Sequence, residues 1–535
     1  MKNAILTLPL IYIGCAICGC NTPSSPSNKE ALEYSEPHRP QFHFSPKEKW
    51  MNDPNGMFFY EGEYHLFYQF YPDSNVWGPM HWGHAVSKDL THWEHLPIAL
   101  YPDSLGYIFS GSAVVDWKNT SGLGHGASGQ PPIVAIFTYH DMEAEKAGRS
   151  DYQCQGIAFS HDKGRTWTKY EGNPVLPNPK QIRDFRDPKV RWDERSAQWV
   201  MALAAYDHIQ FWGSPDLKKW RHLSDFGKEW GVHGGVWECP DLFPIVVEGT
   251  NDTRWVLLVS INPGGANGGS ATQYFVGDFD GQHFKLDDSF VPLVRDEKAI
   301  WLDYGRDNYA GVTWSDIPND DGRRLFMGWM SNWDYATAVP TAVWRSAMTL
   351  PRVLTLNKTS AGYRVFSHPV EALKQLRTTR RRLEPIEITG TLDLTKTIGF
   401  SPSQMELMLE FEVDPGTAVD FGVELSNAKG GRYRIGYNAG TALYSSDRTQ
   451  SGEVAFSEKF ANSVHTAPRV SADKNIRLHL FFDVSSAELF ADNGATALTD
   501  IFFPRENFST IKIYAENGKV KLANGEAHAL KRIWR

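Results

Sequence analysis

A short motif occurs four times along the first part of this 535-residue chain. It is a serine or aspartate, an aspartate two positions later, a turn, and then an aromatic residue. The copies are Ser87-Lys88-Asp89-Leu90-Thr91-His92-Trp93, Ser160-His161-Asp162-Lys163-Gly164-Arg165-Thr166-Trp167 and Ser214-Pro215-Asp216-Leu217-Lys218-Lys219-Trp220, with a looser one at Asp278-Phe279-Asp280-Gly281-Gln282-His283-Phe284. They stand roughly 50 to 75 residues apart, the scale of one four-stranded propeller blade with its loops. The middle two follow strand-like runs, Gly156-Ile157-Ala158-Phe159 and Ile209-Gln210-Phe211-Trp212. Each copy therefore reads as a hairpin turn whose aromatic packs back between blades. About five blades fit between residues 41 and 355.

From about residue 381 the texture changes. Residues 405–413 alternate apolar and charged side chains through most of their length, as a half-buried strand does, and residues 476–482 begin the same way. Asp492-Asn493-Gly494 is a hairpin signal. Short strands between turns suggest a β-sandwich over 381–535. Residues 356–380 are expected to join the two modules, with a turn or two of helix at 370–376. The length is too great for one hydrophobic core. The expected fold is all-β: a five-bladed β-propeller over 41–355, a linker, then a β-sandwich.

The N-terminus reads as a targeting segment. Lys2 precedes an apolar run over 4–13, then Gly14-Cys15-Ala16-Ile17-Cys18-Gly19-Cys20. The run is too short to span a bilayer and fits a signal-peptide core within residues 1–20. Ile17-Cys18-Gly19-Cys20 resembles a bacterial lipobox, and among the three cysteines Cys20 best fits lipidation. A plain secreted protein cut nearby is the alternative. Residues 21–40 are polar and rich in Pro and Ser, as a tether should be. The chain is thus expected outside the cytoplasm, lipid-anchored to a bacterial membrane and facing the periplasm or the exterior. Only Cys154 and Cys239 then remain; one bridge between them is possible but no disulfide framework. The formal charge of −9 is spread over mixed signs with no basic stripe, which argues against a nucleic-acid partner.

Three carboxylate motifs carry the chemistry. Trp50-Met51-Asn52-Asp53-Pro54-Asn55-Gly56 sets Asp53 in a tight turn beside an indole and an amide, with proline fixing the backbone after it. The others are Phe185-Arg186-Asp187-Pro188 and Trp237-Glu238-Cys239-Pro240. Each would be a turn or surface carboxylate if met alone. In a propeller the innermost strands converge on the axis, so carboxylates from different repeats can face one funnel. Glycoside hydrolysis needs an acid for the leaving oxygen and a second carboxylate across the anomeric carbon. An acid keeps its proton when buried, and Glu238 between Trp237 and Cys239 is expected to have such an apolar setting. A carboxylate adjoining Arg186 is expected to stay ionised. The 19 tryptophans supply core residues or flat platforms for sugars.

With these motifs the chain resembles glycoside hydrolase family 32, the invertase, inulinase and levanase family, over nearly all of residues 41–535. Further matches are Phe67-Tyr68-Gln69, Trp77-Gly78-Pro79-Met80-His81-Trp82-Gly83-His84, Phe109-Ser110-Gly111-Ser112 and the stretch from Asp483 to Phe490. The resemblance implies Asp53 as nucleophile, Glu238 as acid/base and Asp187 as transition-state stabiliser. It implies substrate contacts from Trp50, Met51, Asn52, Gln69, Trp77, Phe109, Ser110, Arg186 and Trp333. It implies no cofactor and no metal, a fructan or fructo-oligosaccharide substrate, retention of configuration, and release of terminal fructose. Endo-cleavage of levan, an inverting propeller glycosidase and a catalytically silent glycan-binding lipoprotein are the alternatives. Asn308 stands where the family more often has Phe, which bears on the outer pocket wall. His81, His84, His92 and His95 interleave with aromatics and read as structural rather than as zinc ligands. The glycine-rich stretch 264–269 reads as a flexible rim loop, and Arg380-Arg381-Arg382 as a solvated face.

Overall fold

The computed structural model describes residues 33–534 apart from 125–129, 179, 319–320 and 415, together with Met1. The signal-peptide segment, Cys20 and most of the tether lie outside the described residues. Five four-stranded antiparallel units follow one another, with short extra strands added to blades 1, 4 and 5. Their innermost strands are Lys49–Tyr60, Tyr107–Val115, Phe185–Asp193, Val236–Val246 and Tyr309–Thr313. Successive inner strands pack side by side, and the last lies against the first, so the five close a ring round an axis. Trp344–Arg345, leaving blade 5, pairs in parallel with Lys49 and Trp50 of blade 1. Asn75 Nδ2 donates to the Ala342 carbonyl at 2.8 Å across the same seam.

The repeated motif is the turn between the third and fourth strands of blades 1 to 4. In each copy the aspartate at the third position accepts backbone N–H groups two to four residues ahead: Thr91 and His92 on Asp89, Thr166 on Asp162, Lys218 and Lys219 on Asp216, Gln282 and His283 on Asp280. This is the local hydrogen bonding that makes Asp a turn residue. Trp167 reaches Phe67 of the preceding blade at 5.6 Å, and Phe284 reaches Phe226 at 4.9 Å. The aromatic does pack between blades there.

The boundary at 355 needs correction. Arg352–Thr359 and Gly362–Pro369 form a hairpin that completes blade 5. The join shrinks to Val370 and the 3-10 helix Glu371–Leu376. The second module begins with the strand Arg377–Leu383. There the 21-residue strand Thr510–Leu530 belongs to two layers. Its first part pairs with Asp420–Ser426, its last part with Met405–Glu412. The two arms enclose one core that includes Leu407, Leu409, Phe421, Val423 and Leu480. Burying each such side chain contributes about 1.5–3 kcal/mol. Glu406 lies on the opposite face of its strand, buried, and is satisfied by Arg377 at 2.6 Å.

The modules meet across buried charge. Arg352 bridges Asp303 at 2.8 Å and Glu488 of the second module at 2.6 Å. Arg448 of the second module reaches Asp307 at 2.6 Å. His43 sits between Asp483 and Glu488 at 2.8 and 2.9 Å; burial opposes its charge, but the two carboxylates raise it to about 9. The glycine-rich loop is tied down as well, because Asn267 donates to the carbonyls of Tyr304 and Thr466 at 2.7 and 2.9 Å. Its reading as a flexible rim loop is replaced by that of a clasp between modules. The four clustered histidines go to separate partners: His81 to the Pro79 carbonyl, His84 to His65, His92 to Asp89 and His95 to Tyr34.

Candidate active site

Each of the five inner strands carries a β-bulge at the same level. The register with the second strand slips at Asp53, at residues 109–110, 187–188, 239–240 and 310–311. A bulge re-aims side chains that plain alternation would send elsewhere. Proline follows Asp53, Asp187 and Cys239 directly, where a missing N–H costs no ladder bond. Asp187, Cys239 and Ala310 take positive φ values of 64°, 47° and 53°, backbone geometry that non-glycine residues adopt only when their surroundings impose it.

The bulges bring Asp53, Asp187 and Glu238 to one cavity of about 240 Å³. Asn52, Gln69, Trp77, Phe109, Ser110, Arg186 and Trp333 also line it, with Val236 and Asn262. Asp53 accepts from Asn52 Nδ2 on Oδ1 and from Ser110 Oγ on Oδ2, both at 2.9 Å. Trp50 Nε1 donates to Asn52 Oδ1 at 2.7 Å and so fixes which way the amide faces. Burial and the charge of Glu238 raise Asp53 to about 6, against the pull of those two donors.

Asp187 Oδ2 accepts the Cys239 N–H at 3.0 Å. Its own N–H donates to Thr138 Oγ1 at 3.0 Å, and that hydroxyl donates to Gln155 Oε1 at 2.6 Å. Gln155 in turn donates to the Phe185 carbonyl at 2.9 Å, so the strained backbone is held from below. Burial raises the Asp187 carboxyl; Arg186 opposes this, while Glu238 and Asp53 add to it, leaving it near 7. Arg186, which adjoins it and was expected to keep it ionised, does pull it down but is outweighed by burial and the two neighbouring carboxylates. The guanidinium stands 3.9 Å off and points elsewhere.

Glu238 receives that guanidinium. Arg186 Nε and Nη2 donate to Oε1 at 3.2 and 2.9 Å, while Nη1 donates to Asp184 at 2.6 Å. The Tyr309 hydroxyl donates to Oε2. The setting is polar, not apolar: Trp237 and Cys239 are buried to either side of the strand while Glu238 faces the cavity. Tyr309, Asp184 and Thr138 were missed by sequence reasoning: Tyr309 and Thr138 meet their partners from neighbouring blades, and Asp184, though only two residues from Arg186, belongs to no motif. Tyr309 adjoins Asn308, and a residue flanking a motif was the one available hint.

Not every expected contact residue reaches the cavity. Trp50 and Met51 are fully buried behind it. Trp50 stacks on Trp333 at 5.8 Å, and the Met51 carbonyl accepts from Trp329. Asn308 is not a pocket wall either; it is buried and donates to Asp303 at 3.1 Å, under the module interface. The aromatic wall is Trp77 edge-on to Phe109 at 6.1 Å, with Phe109 stacked on His140 at 4.2 Å and Trp333 opposite. Among the described residues Cys154 and Cys239 do not pair with each other, and both are free thiols.

Buried carboxylates from three propeller strands, walled by aromatic faces, make a glycosidase site. The chain belongs to glycosyl hydrolase family 32: the model of that family's N-terminal domain matches residues 43–369, and that of its C-terminal domain matches 372–529. It is 48% identical to a levanase of Bacillus subtilis, over 94% of this chain and 72% of the relative. It is 36% identical to an extracellular exo-inulinase of Aspergillus awamori, over 94% and 96%. The crystal structure of exo-inulinase from that fungus superposes with a TM-score of 0.83 at 33% identity, covering 94% of this chain and all of the other.

Proposed function

We propose that this enzyme is a retaining, exo-acting fructan hydrolase that releases terminal fructose from β-fructans and from sucrose-type ends. Asp53 attacks the anomeric carbon as Glu238 delivers a proton to the leaving oxygen. Glu238 then takes a proton from the water that releases fructose from Asp53. Asp187 accepts hydrogen bonds from fructosyl hydroxyls as positive charge develops on the ring. The hydrogen bond from Ser110 holds one Asp53 oxygen and leaves the other to Asn52, so the carboxylate enters the reaction already oriented.

The observation that carries the exo reading is the size and walling of the cavity. At about 240 Å³ between Trp77, Phe109 and Trp333, it falls below the usual range for ligand pockets and suits a chain end rather than a chain interior. The levanase and exo-inulinase relatives support a fructan substrate. The product ladder tests it: levan and inulin should both give free fructose from the earliest time points, with inversion absent by polarimetry or NMR. Early oligofructosides with little fructose would convert the reading to endo-levanase. No turnover on any fructan or sucrose would return the silent-binder reading.

The enzyme is further proposed to work outside the cytoplasm, as the extracellular exo-inulinase relative does, held to a bacterial membrane by lipid on Cys20. The lipobox-like run ending at that cysteine supports the anchor.

A further inference from the structure

A second cavity opens at the other end of the propeller axis. It takes residues from the far ends of all five inner strands and just beyond them: 59–61, 114–118, 189–192 with 194, 241–243 and 313–318. At about 3.3 Å per residue these lie on the order of 15 Å down the channel from the carboxylates. Its volume is about 620 Å³, well within the range of ligand sites. The two cavities share no lining residue. Between them Pro54, Pro188, Pro240 and Val312 leave a void of only about 10 Å³, barely room for one water. The far mouth is therefore a separate site and not an exit from the catalytic one.

Its walls are equipped for a ligand. Trp117 stands on the rim at 62% exposure, the most exposed tryptophan of the core-size side chains. Its Nε1 donates to Asp316 Oδ1 at 2.9 Å, and Tyr60 backs it at 5.7 Å between ring centres. The indole is thus held rigid with its surface open to solvent, as an apolar platform should be. Deeper in, Arg191 stacks on Trp255 at 4.5 Å while its Nη1 is buried without a hydrogen-bond partner among the described residues. Asp241 uses Oδ2 for the Thr313 N–H and hydroxyl at 2.6 and 2.8 Å, and its Oδ1 is buried and unpaired among the described residues. Arg191 and Asp241 both line the cavity, and the orphan donor and acceptor they carry are covered, so a small turn of each side chain would present them to a ligand and relieve the cost of leaving them unmet. Among the described residues four cationic and five acidic side chains line the mouth, so neither sign dominates.

We infer that this mouth is a second, non-catalytic binding site for a neutral oligosaccharide. Sugar hydroxyls both donate and accept, so one ligand can satisfy Arg191 and Asp241 together. The apolar face of a sugar ring fits the fixed indole of Trp117. A free anion would satisfy Arg191 but meet Asp241 and Asp316. A chain held here keeps polymer beside the enzyme while ends are trimmed at the opposite mouth. That the oligosaccharide is a fructan rests on the proposed function above.

The test uses the full chain with Asp53→Ala to stop turnover, titrated calorimetrically with a short inulin-type oligosaccharide. A second equivalent should bind, and adding Trp117→Ala should remove it. In the otherwise native chain, Trp117→Ala should leave kcat/KM on sucrose unchanged and raise KM for levan roughly tenfold. No second equivalent, or equal effects on sucrose and levan, overturns the inference. Saturable binding of inorganic phosphate that Arg191→Gln abolishes, with no second sugar equivalent, overturns it in favour of an anion site. Intact fructan hydrolysis in the parent chain beside either result would leave the proposed function standing and fail this inference alone.

Discussion

Replacing Asp53 with Asn should remove most activity and at the same time make the protein more stable at neutral pH. Burial and the charge of Glu238 lift this carboxyl from 3.8 to about 6 in the fold. Each pKa unit corresponds to about 1.36 kcal/mol, so keeping Asp53 ionised in the native state costs about 3 kcal/mol relative to the unfolded chain. The group is partly reached by solvent at the pocket floor, which screens the effect and brings the expected figure to about 1–3 kcal/mol. The folded pKa lies above the unfolded one, so the fold binds this proton more tightly than the unfolded chain does. The cost is thus fully present above about pH 6, shrinks between about 6 and 3.8, and is gone below that. Asn is neutral throughout and can still accept the Ser110 hydroxyl. Urea unfolding curves at about pH 7.5 should show the variant more stable by about 1–3 kcal/mol, converging with the parent at about pH 4. A variant less stable at the higher pH, or a gain that persists at the lower one, would refute the idea that unfavourable charge is stored at this position.

Three further outcomes are expected. Glu238→Gln should lower kcat by about 10²–10⁴ on sucrose, and a fructoside with a leaving group that needs no proton should recover much of it; equal losses on both substrates would count against its role as acid. Asp187→Asn should depress kcat far more than it raises KM, whereas a pure KM change in steady-state kinetics would make Asp187 a plain binding residue. Cys20→Ala should move the protein from the membrane to the soluble fraction with its specific activity intact, and unaltered membrane association on fractionation would point to another anchor.

What could be read in the sequence was what local chemistry dictates. Asp89, Asp162, Asp216 and Asp280 mark blade turns because each accepts backbone N–H groups within four residues of itself, a requirement visible in any one copy. The hairpin over 352–369 also left a signal, in the alternation of Leu354 and Leu356 with Tyr363 and Val365 around Gly362. Reading that stretch as a linker ignored it. The carboxylates were legible as motifs, but their neighbourhoods were not. Glu238 meets Arg186 and Tyr309 from blades 3 and 5, and no sequence distance encodes that meeting. Trp50 and Met51 were misplaced because the bulge at Asp53 breaks the two-residue alternation just where it would be used to decide which side chains face the cavity. Asn308 shows the converse error, a position judged by its motif when its burial under the module interface decides its role.

The charged seam between the modules has a consequence for anyone who would rebuild this enzyme. Arg352 and Asp303 belong to the propeller side, yet Glu488 completes their balance from the other side, and Arg448 does the same for Asp307. A catalytic half cut free at the 3-10 helix would carry stranded charges, each costing about 3–5 kcal/mol if it stayed buried. The catalytic half is consequently not a cartridge that can be slotted onto a new partner. In chimaeras between relatives, the halves of the seam have to travel together, with Arg352 and Glu488 treated as a single inherited character.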